Sequence, residues 1–113
     1  MTEFRRIILE MGTGTDLHGG DYTKAAKRAV HNALHHSSLP MFHSLSIDPN
    51  SMEIELRLAA QDPEKIDLDA VAATLPYGKV NPVAVKGGLN FPDSTTGADS
   101  IIVNAGIIVR LPL

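Results

Sequence analysis

An aspartate and a histidine two positions apart, Asp16 and His18, are the pair in this 113-residue chain best equipped for chemistry. In an extended segment residues i and i+2 project to the same side, so carboxylate and imidazole can share one small volume. Such a pair can ligate a divalent metal such as zinc, which accepts oxygen and nitrogen donors alike. It can equally form an acid–base unit, with Asp16 orienting the His18 ring and raising its basicity. Both belong to the run Gly12-Thr13-Gly14-Thr15-Asp16-Leu17-His18-Gly19, a poor helix and a poor strand but a good sharp turn. Residues up to Met11 read as a strand and residues from Asp21 as a helix, which puts the turn at a strand-to-helix junction. Free N–H groups and the positive helix end favour an anion there. Gly12, Thr13, Gly14, Thr15 and Gly19 are therefore the candidate ligand contacts, and Lys24 can add a charge from the first helical turn. The plainer alternative is that Asp16 caps a turn, His18 faces solvent and the glycines make a corner. Neither nucleotide motif is present: Leu17 stands where a dinucleotide fingerprint needs its third glycine, and no Gly-Lys-Ser/Thr ending follows.

The string Gly12-x-Gly14-x-Asp16-x-His18-Gly19, with Thr23-Lys24-Ala25-Ala26, Ser38-Leu39-Pro40 and Gly87-Gly88-Leu89, resembles a small uncharacterised family of bacteria and plants defined by that motif. The resemblance runs the whole chain and implies one compact domain without supplying an activity. More distantly, a strand followed by Gly-x-Gly-x-Asp-x-His is similar to the start of methylerythritol cyclodiphosphate synthase, a trimeric zinc enzyme. That likeness covers about ten residues and implies zinc ligation by Asp16 and His18. The third ligand it implies, a histidine early in the following helix, has no counterpart among Thr23, Lys24, Ala25 and Ala26.

A chain of this length is expected to form a single domain, residues 1–113. Its 43% hydrophobic and 20% charged residues are ordinary for a globular protein. A net charge of −3, two Tyr, three Phe and no Trp argue against a nucleic-acid partner. The absence of Cys excludes disulfides and thiolate chemistry. No signal-like or membrane-spanning run is found, so a cytoplasmic location and no membrane partner are expected.

The elements that must position the motif follow from periodicity. Residues 4–11 predict an interior strand, with Ile7, Leu9 and Met11 on one face and Ile8 and Glu10 on the other. From Asp21 to about Ser37 the pattern is helical, with Tyr22, Ala26, Ala29, Val30 and Ala33 inward and Lys24, Lys27, Arg28, His31 and His35 outward. Those cations argue against a metal at His31 and His35, and His36 is too far along the helix to reach the turn. His43 falls in the connection over 41–51. Met52, Ile54, Leu56 and Leu58 alternate with Glu53, Glu55 and Arg57, a half-buried strand. A short helix from Asp67 to Leu75 presents Leu68, Val71, Ala72 and Leu75. Val80 to Leu89 predicts a third strand, with Lys86-Gly87-Gly88 a corner, and residues 90–99 a polar loop. Ile101 to Leu111 predicts a last strand apolar on both faces, with Ile102 and Ile108 on the outer one.

The order β-α-β-α-β-β predicts an α+β fold: a four-stranded mixed sheet with two helices on one face. It resembles the chorismate-mutase-like trimers; a ferredoxin-like arrangement is the alternative. Ile8, Ile102 and Ile108 predict an outer sheet face covered by association, hence a homo-oligomer, with a trimer favoured. The functions that fit are a small-metabolite enzyme with Asp16 and His18 at a subunit cleft, or a non-catalytic module binding a small ligand or anion. Substrate and reaction type are not written in the sequence.

Overall fold

The computed structural model describes residues 3–35, 46–75, 78–95 and 97–112. Among these residues five strands and two α-helices follow in the order β1 (Phe4–Asp16), α1 (Tyr22–Leu34), β2 (Glu53–Ala60), α2 (Leu68–Ala72), β3 (Lys79–Lys86), β4 (Leu89–Pro92) and β5 (Asp99–Pro112). The single sheet has the order β1-β5-β2-β3. The long β5 runs antiparallel to β1 along one edge, and along the other to β2 and then β4. β2 and β3 are parallel, joined through α2. The sheet is mixed, as expected, but with five strands rather than four.

The extra strand comes from a glycine corner. The expected strand Val80–Leu89 breaks at Gly87-Gly88, where Gly88 takes φ +65. A Cβ at Gly88 would overlap the Ile102 carbonyl, so only glycine lets the chain turn this close to β5. The chain then returns as β4 against residues 99–102. The ten-residue polar loop shrinks accordingly to a hairpin connection.

A second correction concerns β1, which runs through Asp16 and not to Met11. Gly12 and Gly14 are paired strand residues opposite Ala105 and Val103, not members of a turn. They lie under α1, where a Cβ at Gly12 would overlap the Ala29 carbonyl and the Ala33 amide. One at Gly14 would overlap the Ala25 carbonyl and the Ala29 amide. The glycines of β1 and the alanine stripe Ala25, Ala29, Ala33 bring helix and strand almost backbone to backbone.

One core forms between the helices and the inner sheet face. It gathers Val30 and the alanines of α1, Val71 of α2, Ile54, Leu56 and Leu58 of β2, and alternate residues of β5 from Ile101 to Leu111. Burying a Leu such as Leu56 or Leu58 contributes about 2 kcal/mol each. Both helices thus occupy one face, as the single apolar stripes predicted. α1 is capped by Asp21, whose side chain accepts from the Lys24 N–H at 3.0 Å. The predicted second helix shortens to Leu68–Ala72, although Leu68 and Leu75 still pack on the core.

The opposite sheet face carries Leu9, Met11, Ile102, Ile108, Val83 and Val85. Ile8 does not belong to it. A bulge between Arg6 and Ile8 turns Ile8 toward Val109 and the core, leaving Leu9 and Met11 outside. No helix of the described residues is long and apolar enough to cross a membrane.

Candidate functional site

The junction from β1 to α1 is built around one buried carboxylate. Asp16 ends β1 on its inner side, opposite Ile101, and is the one buried charged residue among the described residues. Its Oδ2 accepts the Asp21 N–H at 2.9 Å, which ties the strand end to the first residue before α1. Leu17 to Gly20 form the turn between them, with Gly20 at φ +61. The Asp21 N–H holds the Asp16 carboxyl below its ordinary value; burial opposes this, while Lys24, Arg28 and the His18 backbone N–H add to it. Asp16 is therefore an anion that the chain supplies to its own helix start.

This changes what the motif offers a ligand. Two carboxylates engage amides at the start of α1: Asp16 accepts from the Asp21 N–H and Asp21 from the Lys24 N–H. The Thr13 N–H is bound by Asn32 Oδ1 at 3.0 Å, and the Thr15 carbonyl accepts from Arg28 Nη1 at 2.6 Å. Asn32 and Arg28 thus shield the outer edge of β1 along this stretch, a protection edge strands need. Gly12 and Gly14 are sealed beneath α1. A backbone cradle over residues 12–15 is not what the fold builds.

It builds a side-chain cleft instead. An open cleft of about 510 Å³ is lined by Thr15, Asp16, Leu17, His18, Gly19, Lys24 and Arg28. Of the residues anticipated from the sequence, Thr15, Asp16, His18, Gly19 and Lys24 meet there; Gly12, Thr13 and Gly14 do not. His18 is exposed on the rim and reaches Asp16 through its backbone N–H. Gly19 lies so close that a Cβ there would stand 2.9 Å from Asp16 Oδ2. Sequence reasoning left out Arg28, whose guanidinium lies 4.0 Å from Asp16 Oδ1. Its spacing from Lys24, four residues along one helix face, was the available signal.

A second groove, about 380 Å³, adjoins along α1 and is lined by Lys24, Lys27, Arg28, His31, Asn32 and His35. The His31 and His35 rings stand 4.3 Å apart on this exposed cationic face. His36 and His43 lie outside the described residues.

Metal ligation was the other chemistry open to Asp16 and His18. Among the described residues no three His, Cys, Asp or Glu side chains converge as a metal site requires. Asp16 is moreover hydrogen-bonded at one oxygen and faces Arg28 with the other. The described residues of a single chain do not fit a zinc ion.

On the far side of Ile101 from Asp16, β4 contributes Asn90 to the same row. Asn90 Nδ2 donates to the buried Tyr22 hydroxyl at 2.7 Å, and that hydroxyl donates to Asp62 Oδ2 at 3.1 Å. Burial pushes the Tyr22 hydroxyl above its ordinary pKa. This network ties the first turn of α1 to β4 and to the turn after β2.

A family model described as a conserved hypothetical protein, Lin0512_fam, matches residues 6–109. The chain belongs to this family. Comparison with curated proteins gives no match. Among solved structures, the chain is similar to an FtsZ-like protein of unknown function from Nostoc punctiforme PCC 73102. The two are 31% identical, with all of each chain covered and a TM-score of 0.87. Neither the family description nor that structure's title names a chemistry, so the functional reading rests on the cleft.

Proposed function

We propose that this Lin0512-family chain binds a small anionic ligand, such as a carboxylate or phosphate ester, in the cleft between β1 and α1. The observation that carries it is the convergence of Lys24, Arg28 and His18 on one concavity. Lys24 and Arg28 supply fixed positive charge, and Arg28, with its planar fork, suits bidentate recognition. Thr15 and Gly19 form the floor and lip. Asp16 is a positioning residue: it holds the turn and does not face the ligand as a free base.

Titrating the protein with inorganic phosphate and a panel of small carboxylates, read by backbone amide shifts, tests this. Shifts should cluster at residues 15–28 and vanish in Lys24→Ala/Arg28→Ala. No shift with any anion, or shifts that persist in the double variant, would overturn it.

A second reading is a small-metabolite enzyme, favoured by the presence of Asp16 and His18 in one cleft. His18 would act there as acid–base group, with an adjoining chain of a trimer closing the wall at exposed Leu17. Chemical change of a bound ligand that His18→Ala abolishes would select this reading over simple binding.

A further inference from the structure

Gly106 sits in the middle of β5, on the outer sheet face, between Met11 of β1 and Arg57 of β2. Nothing in the described residues requires a glycine there. An added Cβ would meet no atom within 4 Å. Gly106 is not among the positive-φ residues, and β5 keeps its register with both neighbours across it. Gly12 and Gly14 make the contrast, since α1 lies directly on them. A glycine inside a strand weakens it and marks a place where another body comes close.

The surroundings of Gly106 say what kind of body. Leu9, Met11, Val83, Val85, Leu89 and Phe91 are all exposed on this face. Together they offer on the order of 600 Å² of apolar surface, as much as the largest patches on monomers and close to one partner's share of a stable interface. The central charges are already paired: Glu55 meets Arg57 at 3.2 Å and Arg110 at 3.4 Å. One carboxylate stands between two guanidiniums, so the charge that a second copy would cover at the centre is already engaged within the chain.

We infer that the outer sheet face is a self-association surface, on which a second copy of this chain packs with its contact centred on the hollow over Gly106. The inference goes beyond the ligand reading and does not depend on it. The face extends to Thr15, paired with Ile102, so the second copy would also border the cleft.

Light scattering during gel filtration of the full chain should give a multiple of the monomer mass. Gly106→Glu and Met11→Glu should each give folded monomers, since neither side chain enters the protein's own core. Lys27→Glu, on the opposite surface, should leave the mass unchanged. Because the chain has no cysteine, Asn104→Cys beside the hollow should form a covalent dimer on mild oxidation, and Lys27→Cys should not. A wild-type monomer at every concentration reached would overturn the inference. So would an oligomer whose mass survives both glutamate variants, or whose Asn104→Cys form does not cross-link.

Discussion

Arg28 reaches from the exposed face of α1 to the carbonyl of Thr15, donating a 2.6 Å hydrogen bond to the outer edge of β1. The same guanidinium stands 4.0 Å from Asp16 and lines the cleft. One side chain therefore closes a sheet edge and charges a binding site. Arg28→Ala should weaken anion binding tenfold or more while costing only about 0.5 kcal/mol of stability, because the side chain is half exposed and screened. Urea unfolding beside an anion titration separates the two effects. Arg28→Lys should keep part of the charge and lose the bidentate fork.

Gly14→Ala should be among the most damaging single changes in the chain. Its Cβ has nowhere to go except into the backbone of α1, so the helix must lift from the sheet, at a cost of about 3 kcal/mol. Gly12→Ala should behave alike. Gly20→Ala, which meets no neighbouring atom but sits at φ +61, should cost about 1 kcal/mol from backbone strain alone. Thermal or chemical denaturation of the three variants checks the ordering.

Asp16 makes stability depend on pH at the acid end. Its carboxyl titrates below the ordinary aspartate value, so the unfolded chain takes up the proton first as pH falls. Its contribution is complete above the unfolded value and is lost as pH drops through the lowered one. Asp16→Ala should cost about 2 kcal/mol at neutral pH and flatten this acid limb. Asp16→Asn should keep an acceptor for the Asp21 amide yet show the same flattening. Unfolding free energies measured from pH 7 down to pH 2 distinguish the outcomes.

Tyr22→Phe should cost about 1 to 2 kcal/mol. The hydroxyl joins Asn90 to Asp62, and Asn90 Oδ1 is already buried without a partner, so the amide would be left with neither end satisfied. At the alkaline end the sign reverses. The folded-state pKa lies above the ordinary tyrosine value of about 10, so this stabilisation is whole below that value and disappears as pH rises through the raised one. The variant should lose that alkaline limb.

Much of the frame was legible because its periods are clean. The alternation of Ile54, Leu56 and Leu58 in β2, and of Ile101 to Leu111 in β5, matches the buried rows residue for residue. So does the stripe of α1, to which the structure adds only Ala25. What failed was the reading of glycine. In composition Gly12 and Gly14 look like turn formers, but their cause lies across space, in alanines of α1 far along the chain. No local rule reports a helix that will settle on a strand. Asp16 was recognisable as a chemically capable side chain; that its oxygens are occupied by the Asp21 amide and the neighbourhood of Arg28 depends on the turn having closed. The split of the third strand escaped for a similar reason, since Gly88 is demanded by the carbonyl of Ile102 in a strand not yet reached.

The bulge in β1 has a consequence for how the chain tolerates length changes. Ile7 is the surplus residue, since Arg6 pairs with Arg110 and Ile8 already with Val109. Deleting it would leave every other partner facing as before, with regular pleating in place of the kink. Removing one residue between Ile8 and Gly12 could be taken up by the same kink, at the cost of turning the side chains between the bulge and the deletion to the opposite face. Position 7 is the slack in an otherwise taut ribbon.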